Sequence, residues 1–408
     1  MSRRGTRTAA GAAAVLLALS FYALISWLEK AQLSDVPVYL HYSRLVRGGA
    51  VPYRDFSFEY PPAALPALLL PAYMTWSYAT SFAVLMGAFG AGCIAAAGSA
   101  LQAVGAGAVR TWAALLAIGV SPLLLGSLFD TRFDLWPTLL AFGALAAIVR
   151  QRPIASGLLL GLGFAAKLWP AVLLPIAVVY LWRQRGRRSA VAVVVGFVAV
   201  AAACFIPFAV LAPDGLRAMF ADQLDRPLQV ESLGAAVLMA AEHLGMRPLA
   251  TVSTHGAQAL SGRGAGLAAD LSAAAEITVV VAVWIVFALR RNASGETLLL
   301  AAAATVSALV AFDKVLSPQY LIWLVPFVLL VRGGRGWIAG GLLFLALGLT
   351  QTWFPWHYWR LALDHAEPWS WYLLARDLAL VALAGILSVG TGFARRKAGS
   401  PGARRAAA

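Results

Sequence analysis

The chain has 408 residues, of which 61% are hydrophobic and only 12% are charged, and its mean hydropathy is +0.77. These values exclude a soluble globular domain and indicate a membrane protein. The net charge of +14 would suggest a nucleic-acid partner in a soluble chain. Here the basic residues lie in short loops and a tail beside apolar runs, where they set topology and meet anionic lipid, so we expect no nucleic-acid partner.

Apolar segments follow one another along the whole chain, and we expect twelve of them to be transmembrane helices. They cover residues 9–29, 80–104, 111–129, 135–149, 153–166, 168–182, 189–211, 266–289, 295–312, 320–331, 337–354 and 371–393. A helix of about 20 residues crosses a hydrocarbon core about 30 Å thick. The predicted fold is therefore an all-α polytopic membrane protein, one domain over residues 1–393, with a disordered basic cytoplasmic tail over residues 394–408.

Charge is divided unequally between the segments that join these spans. With the N-terminus in the cytoplasm, the inner segments hold most of the basic residues and a single acid, Glu296, while the other acids lie in or near outer segments. Basic loops stay in the cytosol during insertion. We therefore expect both termini to be cytoplasmic in a bacterial plasma membrane. The first apolar segment is too long for a signal peptide and should be a retained span.

Some predicted spans are too short for a regular crossing. The arms 153–166 and 168–182 leave and return between two basic inner loops, with Lys167 at the turn between them. Segment 320–331 is also short and is interrupted by Pro326. Such segments are tolerated where they pack inside protein or line a wet cavity.

The first outer segment, Lys30–Tyr60, is longer than a connector needs to be and is rich in aromatic residues. Asp35 lies just beyond the first span, and a helix is expected over Pro37–Val46, followed by a break at Gly48 and Gly49. The apolar run from Pro61 to Tyr73 predicts a helix that lies in the outer leaflet, because proline is tolerated in a first helical turn.

Charged side chains at membrane depth are costly, so each needs a partner or a function. Asp35 is either an interface residue or a catalytic base. Asp130 and Asp134 flank Arg132 at a tight outer turn, which favours either an internal ion pair or a role in substrate binding.

Two further polar runs lie in predicted outer segments. In the run that ends Glu231-Ser232, Ser232 can cap the next helix and leave Glu231 exposed, or the run can bind substrate. Lys314 follows Asp313 at the outer boundary and can either pair with it or face a phosphate.

Metal and nucleotide sites are not indicated. The five histidines are scattered, no D-x-D pair occurs, and no phosphate-binding glycine loop follows a strand. We therefore expect neither a metal nor another cofactor.

Five motifs, in order along the chain, resemble glycosyltransferase family 87. They are the run from Asp35 to Pro62 with GGAVPYRD and EYPP, Phe133–Pro137, Gly161–Pro170, Arg226–Ser232 and Ser317–Tyr320. The resemblance implies a C-type glycosyltransferase fold with a structured first outer loop. It also implies transfer of a hexose, by family default mannose, from a polyprenyl-phosphate donor to an extracytoplasmic glycolipid or glycan acceptor.

The resemblance and this chemistry together suggest roles for individual residues. Asp35 would be the base that removes the proton of the acceptor hydroxyl during single-step inversion. The donor phosphate would be held by cations, in falling order Lys314, Arg226, Lys167 and Arg132. Lys167 instead pairs with a buried Asp134 in the rival account. Further contacts to substrate are expected from Asp134, Tyr60, Glu231 and Gln319.

Two other classes of function fit the same spans. A lipid or solute transporter, or flippase, suits many spans with buried charges, although it should show repeat symmetry that we do not find. An inactive assembly scaffold is the third reading. The long first outer segment favours the enzyme.

Overall fold

Residues 1–28, 33–246, 248–290 and 293–392 are described by a computed structural model of the protein. The predicted tail at 394–408 lies outside these residues. The α-helices are α1 (Arg3–Ala23), α2 (Val36–Arg47), α3 (Leu65–Leu69), α4 (Tyr78–Ala103), α5 (Ala108–Leu125), α6 (Leu128–Thr131), α7 (Leu135–Val149), α8 (Pro153–Ala166), α9 (Leu174–Arg185), α10 (Arg187–Leu211), α11 (Pro213–Leu224), α12 (Leu233–His243), α13 (Ala265–Leu289), α14 (Gly295–Phe312), α15 (Leu321–Val328), α16 (Gly333–Trp353), α17 (Tyr358–Asp364) and α18 (Trp369–Gly392). The strands are β1 (Ala250–Thr254) and β2 (Ala257–Ser261).

Eight helices of the described chain are long and apolar enough to cross a membrane. They are Arg3–Ser26, Tyr78–Ala103, Ala108–Leu125, Arg187–Leu211, Ala265–Leu289, Gly295–Phe312, Gly333–Trp353 and Trp369–Thr391. Each coincides with a predicted span, so the all-α polytopic fold is confirmed. The other four predicted spans are helical but shorter, and a count of twelve full crossings is not confirmed.

Two of the short helices, α7 and α15, lie inside the bundle. All eight residues of α15 are buried, and α7 is buried along most of its length. Neighbouring helices cover their backbone, which explains how segments too short to cross are tolerated at membrane depth.

Helices α8 and α10 approach each other closely because glycines face the contact. A Cβ atom on Gly157 would lie 2.3 Å from the carbonyl oxygen of Val193, and one on Gly161 would lie 2.4 Å from that of Phe197. This spacing of small residues is typical of helix pairs packed in a membrane.

The predicted inner segments meet at one end of the bundle, which we call the basic end. The N-terminal ammonium donates to the carbonyl of Ala106 at 2.9 Å. Arg110 pairs with Glu296 at 2.5 Å, and Arg183 donates to the carbonyl of Ala288. The segments that the charge pattern places on one side of the membrane are therefore neighbours.

The predicted outer segments are more structured than expected. The first contains α2 and the short turns and helix from Pro62 to Tyr73, as predicted. The outer segment between α10 and α13 holds α11, α12 and an antiparallel hairpin of β1 and β2, which the sequence did not predict. Backbone bonds from Val230 to Gln258 at 3.0 Å and from Leu260 to Leu228 at 2.8 Å attach the hairpin to the chain before α12.

Candidate functional site

A cavity of about 810 Å³ is formed by the predicted outer segments, and we call it the outer cavity. Its walls come from the first outer segment, the start of the turn at Lys167, the end of α11, the hairpin tip, the chain after α14 and the chain around α17. Among the predicted site residues it is lined by Asp35, Tyr60, Arg132, Lys167, Arg226, Glu231 and Gln319. Residues that are distant in sequence are thus brought to one place.

Asp35 lies at the N-terminal end of α2 without capping that helix. One carboxylate oxygen forms an ion pair with the Arg132 guanidinium. The other accepts from the Tyr39 hydroxyl at 3.3 Å. The Asp35 side chain is 32% exposed, so the carboxylate is held on one side and open to the cavity on the other.

The partner of Arg132 corrects a prediction. An ion pair with the flanking Asp130 or Asp134 was one of two expectations, but Arg132 follows α6 in extended conformation and reaches Asp35 instead. Burial lowers the pKa of Arg132 to about 10. Burial also raises the pKa of Asp130 to about 7, and one oxygen of Asp130 has no hydrogen-bond partner among the described residues.

Lys167 is held by Asp134, as the rival account proposed. Its ammonium lies 2.6 Å from an Asp134 oxygen, which also accepts from the Trp323 indole at 2.7 Å. Rings of Phe133, Tyr320 and Trp323 lie 5.1–5.2 Å from the ammonium, at cation–π distance. Asp134 itself is fully buried behind the cavity wall.

Arg226 and Lys314 differ in position. Arg226 donates to the His255 carbonyl at 2.9 Å and lies 3.6 Å from the Glu59 carboxylate, within the lining of the cavity. The Lys314 ammonium donates to the Leu224 carbonyl at 3.0 Å and is not part of the lining. The cation placed first by the sequence is therefore the one that does not face the cavity.

The exposure of Glu231 differs from one of the two predictions made for it. Ser232 caps α12, accepting from the Ala235 amide at 3.4 Å, as predicted. Glu231 is only 2% exposed, so the alternative of an exposed Glu231 is wrong. Burial raises the pKa of Glu231 to about 7.

The other two predicted substrate contacts, Gln319 and Tyr60, also line the cavity. Gln319 accepts from the Ser317 hydroxyl at 3.2 Å. The carbonyl of Tyr60 accepts from the Tyr53 hydroxyl at 2.5 Å, and its ring packs against Phe133 with centroids 4.8 Å apart.

Sequence reasoning missed several residues of this region. Glu59 and the hairpin tip around His255 line the cavity, and Arg376 donates to the Glu231 carbonyl at 2.7 Å. The tip had a signal, since His255-Gly256 separates two alternating runs. Arg376 had one too, because a charged residue inside an apolar span needs a partner.

No group of three His, Cys, Asp or Glu side chains within the described ranges could hold a metal ion. The expectation that the protein needs no metal stays a prediction.

Comparison with known proteins gives one family. The model of glycosyltransferase family 87 matches residues 58–318, an interval that includes Arg132, Lys167, Arg226 and Glu231 but not Asp35. No curated protein matches the chain. Among solved structures it is similar to the archaeal oligosaccharyltransferase AglB from Archaeoglobus fulgidus in complex with an inhibitory peptide and a dolichol-phosphate, at 12% identity and a TM-score of 0.45. The match covers 94% of this chain and 56% of that one, so this chain spans about half the length of that protein.

Proposed function

The chain belongs to glycosyltransferase family 87, and from this premise we propose that it transfers a hexose from a polyprenyl-phosphate donor to a glycolipid or glycan outside a bacterial plasma membrane. Mannose is the hexose we expect. Both termini would lie in the cytoplasm and the outer cavity would open to the other side. The observation that supports this proposal is the meeting of Asp35 with three cations in one cavity.

The reaction joins the acceptor oxygen to the anomeric carbon of the sugar while the bond from that carbon to the phosphate oxygen breaks. The acceptor hydroxyl loses a proton, and the bonding electrons leave with the phosphate. A carboxylate near the hydroxyl can take that proton. The leaving phosphate needs no proton from a second acid but does need positive charge beside it.

Asp35 is the residue that we assign as the base. The ion pair with Arg132 fixes the direction of its carboxylate, and the oxygen near Tyr39 has only a long hydrogen bond of 3.3 Å. That oxygen can give up the weak hydrogen bond from Tyr39 and accept one from the acceptor hydroxyl. Attack from the face opposite the phosphate would convert a β-linked donor into an α-glycoside in one step.

Arg226 is the cation that we now place first for the donor phosphate. Its carboxylate neighbour Glu59 is 3.6 Å away, whereas Lys167 is held by Asp134 at 2.6 Å and Arg132 is occupied by Asp35. A phosphate can therefore compete for Arg226 more easily than for the other two. Lys314, placed first from the sequence, would act on the phosphate only at longer range.

The test is transfer by the purified protein. Radiolabelled β-linked polyprenyl-phospho-mannose is incubated in proteoliposomes with a synthetic hexyl mannoside, and the anomeric configuration of the product is determined by NMR. We expect labelled α-glycoside. A β-linked product would contradict inversion, and movement of the donor between leaflets without product would favour the flippase.

The predicted orientation has its own measurement. Ser57 lines the cavity and Arg185 is exposed near the basic end. Ser57→Cys should react with a membrane-impermeant maleimide on intact cells, and Arg185→Cys should react only after the membrane is opened. The reverse pattern would place the outer cavity in the cytoplasm and exclude an extracytoplasmic site.

A further inference from the structure

One carboxyl group of the outer cavity lies in the wall with an oxygen that nothing in the described chain satisfies. Glu231 is 2% exposed and belongs to the lining. Its carboxyl group interacts with the side chains of Gln229 and Tyr358, yet its Oε2 atom has no hydrogen-bond partner among the described residues. A buried acceptor without a partner is unfavourable, and such groups in native proteins call for an explanation. A ligand that brings a donor to this wall would supply the missing bond.

The backbone around Glu231 is fixed on both sides. Its carbonyl accepts from Arg376 at 2.7 Å, and Arg376 is fully buried beside Asp377 at 3.0 Å. The Gln229 amide donates to the Lys314 carbonyl at 2.9 Å, and the Ser232 amide donates to the Gln229 carbonyl at 3.0 Å. These bonds hold the backbone of the residue in the wall beside the cavity.

The surroundings of Glu231 suit a sugar. Arg132, which pairs with Asp35, also interacts electrostatically with Glu231 and Tyr358. The next residue, Trp359, lines the cavity and is 50% exposed, whereas two other tryptophans of the lining are buried. A half-exposed indole offers a rigid apolar face to the C–H groups of a sugar ring, and a few placed polar groups then fix its orientation.

We propose that Glu231 binds a hydroxyl group of one of the two sugars in the outer cavity, with that sugar lying against Trp359. The inference rests on the proposed glycosyltransferase function and adds a recognition residue to it. Glu231 is assigned to binding and Asp35 to proton transfer. Arg376 acts through Glu231 and is a positioning residue.

Either protonation state of Glu231 can serve this role. A carboxylate accepts hydrogen bonds from hydroxyl groups, while a neutral carboxylic acid also donates one. Burial raises the pKa of Glu231 to about 7, so both states are present near neutral pH. A sugar hydroxyl can satisfy both because it donates and accepts.

The experiment compares substrates that lack single hydroxyl groups. The wild type, Glu231→Ala and Glu231→Gln are assayed with polyprenyl-phospho-mannose and its 2-, 3-, 4- and 6-deoxy analogues, and then with hexyl mannoside and its deoxy analogues. In the wild type we expect loss of one hydroxyl to lower kcat/KM by about 10- to 100-fold, as for a hydrogen bond to a charged group. In Glu231→Ala that discrimination should fall below about threefold, and Glu231→Gln should restore part of it.

The series in which the sensitive hydroxyl occurs identifies the bound sugar. Sensitivity in the donor series assigns Glu231 to the transferred hexose, and sensitivity in the acceptor series assigns it to the acceptor. Wild-type discrimination retained by Glu231→Ala in both series would overturn the proposal, as would a wild type that tolerates the loss of every hydroxyl.

A matched control is Glu242→Gln. Glu242 is an acid of the same region that pairs with His365 at 2.7 Å and is not part of the lining. Its substitution can lower thermal stability but should leave the discrimination between hydroxyl analogues unchanged. If both Glu231 variants fail to fold, Trp359→Ala carries the test, because its exposed ring can be removed and KM for one substrate should rise about tenfold. An unchanged KM for both substrates would then overturn the proposal.

Failure of this inference is separable from failure of the proposed function. If Asp35→Asn removes transfer while Glu231→Ala still discriminates between the full substrates and their deoxy analogues, only the role of Glu231 is wrong. If the wild type transfers no sugar from any polyprenyl-phosphate donor, the function itself is wrong.

Discussion

The basic end and the outer cavity both contain many charged side chains, but they use them differently. At the basic end the arginines bond mainly to neutral groups, as Arg150 does with Ser99 at 2.6 Å and Gln102 at 2.9 Å, and Glu296 is the acid within reach of Arg110. At the outer cavity each lining arginine or lysine lies against a carboxylate. An excess of positive charge at one end fits a role in orientation, and paired charge around a cavity fits a role in binding.

The difference has an energetic consequence. An exposed ion pair contributes between 0 and about 1 kcal/mol to the free energy of unfolding, while removing one partner of a buried pair lowers that free energy by about 3–5 kcal/mol. Substitutions around the outer cavity should therefore have large effects on activity or stability, and substitutions of the exposed arginines at the basic end should not. Each substitution below is compared with a control variant that lacks the feature under test.

The largest effect is expected from Asp35→Asn, which removes the proposed base and keeps the size of the side chain. Loss of a general base lowers turnover by about 10²- to 10⁴-fold, and we expect a fall in kcat of that size with insertion intact. The matched control is Asp55→Asn, since Asp55 is an acid of the same outer segment that pairs with the exposed Arg54 at 2.9 Å. Near-wild-type transfer by Asp35→Asn would reduce Asp35 to an interface residue.

Lys167→Met should produce the next largest effect, this time on stability. It leaves the fully buried Asp134 carboxylate without its ammonium, at an expected loss of about 3–5 kcal/mol of unfolding free energy in detergent. The double variant Lys167→Met/Asp134→Leu should recover much of that loss, because the unpaired charge is gone.

The control for this pair is an ion pair exposed to solvent. Arg54→Gln breaks the contact with Asp55, in which Arg54 is 50% exposed, and should change stability by less than about 1 kcal/mol. Equal losses from Lys167→Met and Arg54→Gln would mean that the buried pair at the cavity contributes no more than a surface one.

The contrast between the ends was visible in the sequence, whereas the partners within the outer cavity were not. Asp35, Arg226 and Lys167 stand in motifs that the resemblance assigned to the site, and the apolar segments predicted the bundle. Pairing depends on backbone direction after α6, which the sequence around Arg132 does not determine. The expected contact with Asp130 or Asp134 was therefore replaced by one with Asp35.

Length explains the other difference between prediction and structure. Hydropathy identifies apolar segments but does not tell a full crossing from a short buried helix such as α15, because both are hydrophobic all round.

The sequence also misplaced Lys314. Its position next to Asp313 predicted the outer boundary, but only the fold shows that its ammonium turns toward the Leu224 carbonyl.

The third prediction concerns pH and Glu231. Its pKa is raised by burial from 4.5 to about 7, so the folded protein binds this proton more tightly than the unfolded chain. The contribution of Glu231 to stability therefore falls as pH rises between those two values, by about 1.4 kcal/mol per pH unit at most. Glu231→Gln does not titrate and should lose less stability over the same window.

Thermal unfolding of both proteins from pH 5 to pH 8 checks this. The melting temperature of the wild type should fall relative to that of Glu231→Gln as pH increases. A difference that stays constant, or that changes in the opposite direction, would show that folding does not raise the pKa of Glu231.

Arg226→Gln should have a smaller effect, confined to the donor. Loss of one charged contact to the phosphate is expected to raise KM for polyprenyl-phospho-mannose about tenfold, with KM for the acceptor unchanged. Arg217→Gln is the control, because Arg217 is exposed on the preceding helix α11 and does not line the cavity. A higher acceptor KM with an unchanged donor KM would move the phosphate away from Arg226.

The smallest effect is expected at the basic end, where Arg187 and Arg188 begin α10 and are exposed. Because neither faces the outer cavity, Arg187→Gln/Arg188→Gln should change kcat/KM of correctly inserted protein by less than about twofold and stability by less than about 0.5 kcal/mol per site. The same double substitution should lower the fraction that inserts in the native orientation, measured by maleimide labelling of Ser57→Cys, since basic residues favour retention of a loop in the cytosol. A tenfold loss of transfer in protein with native orientation would mean that charge at the basic end also acts on the reaction, and the division between the two ends would not hold.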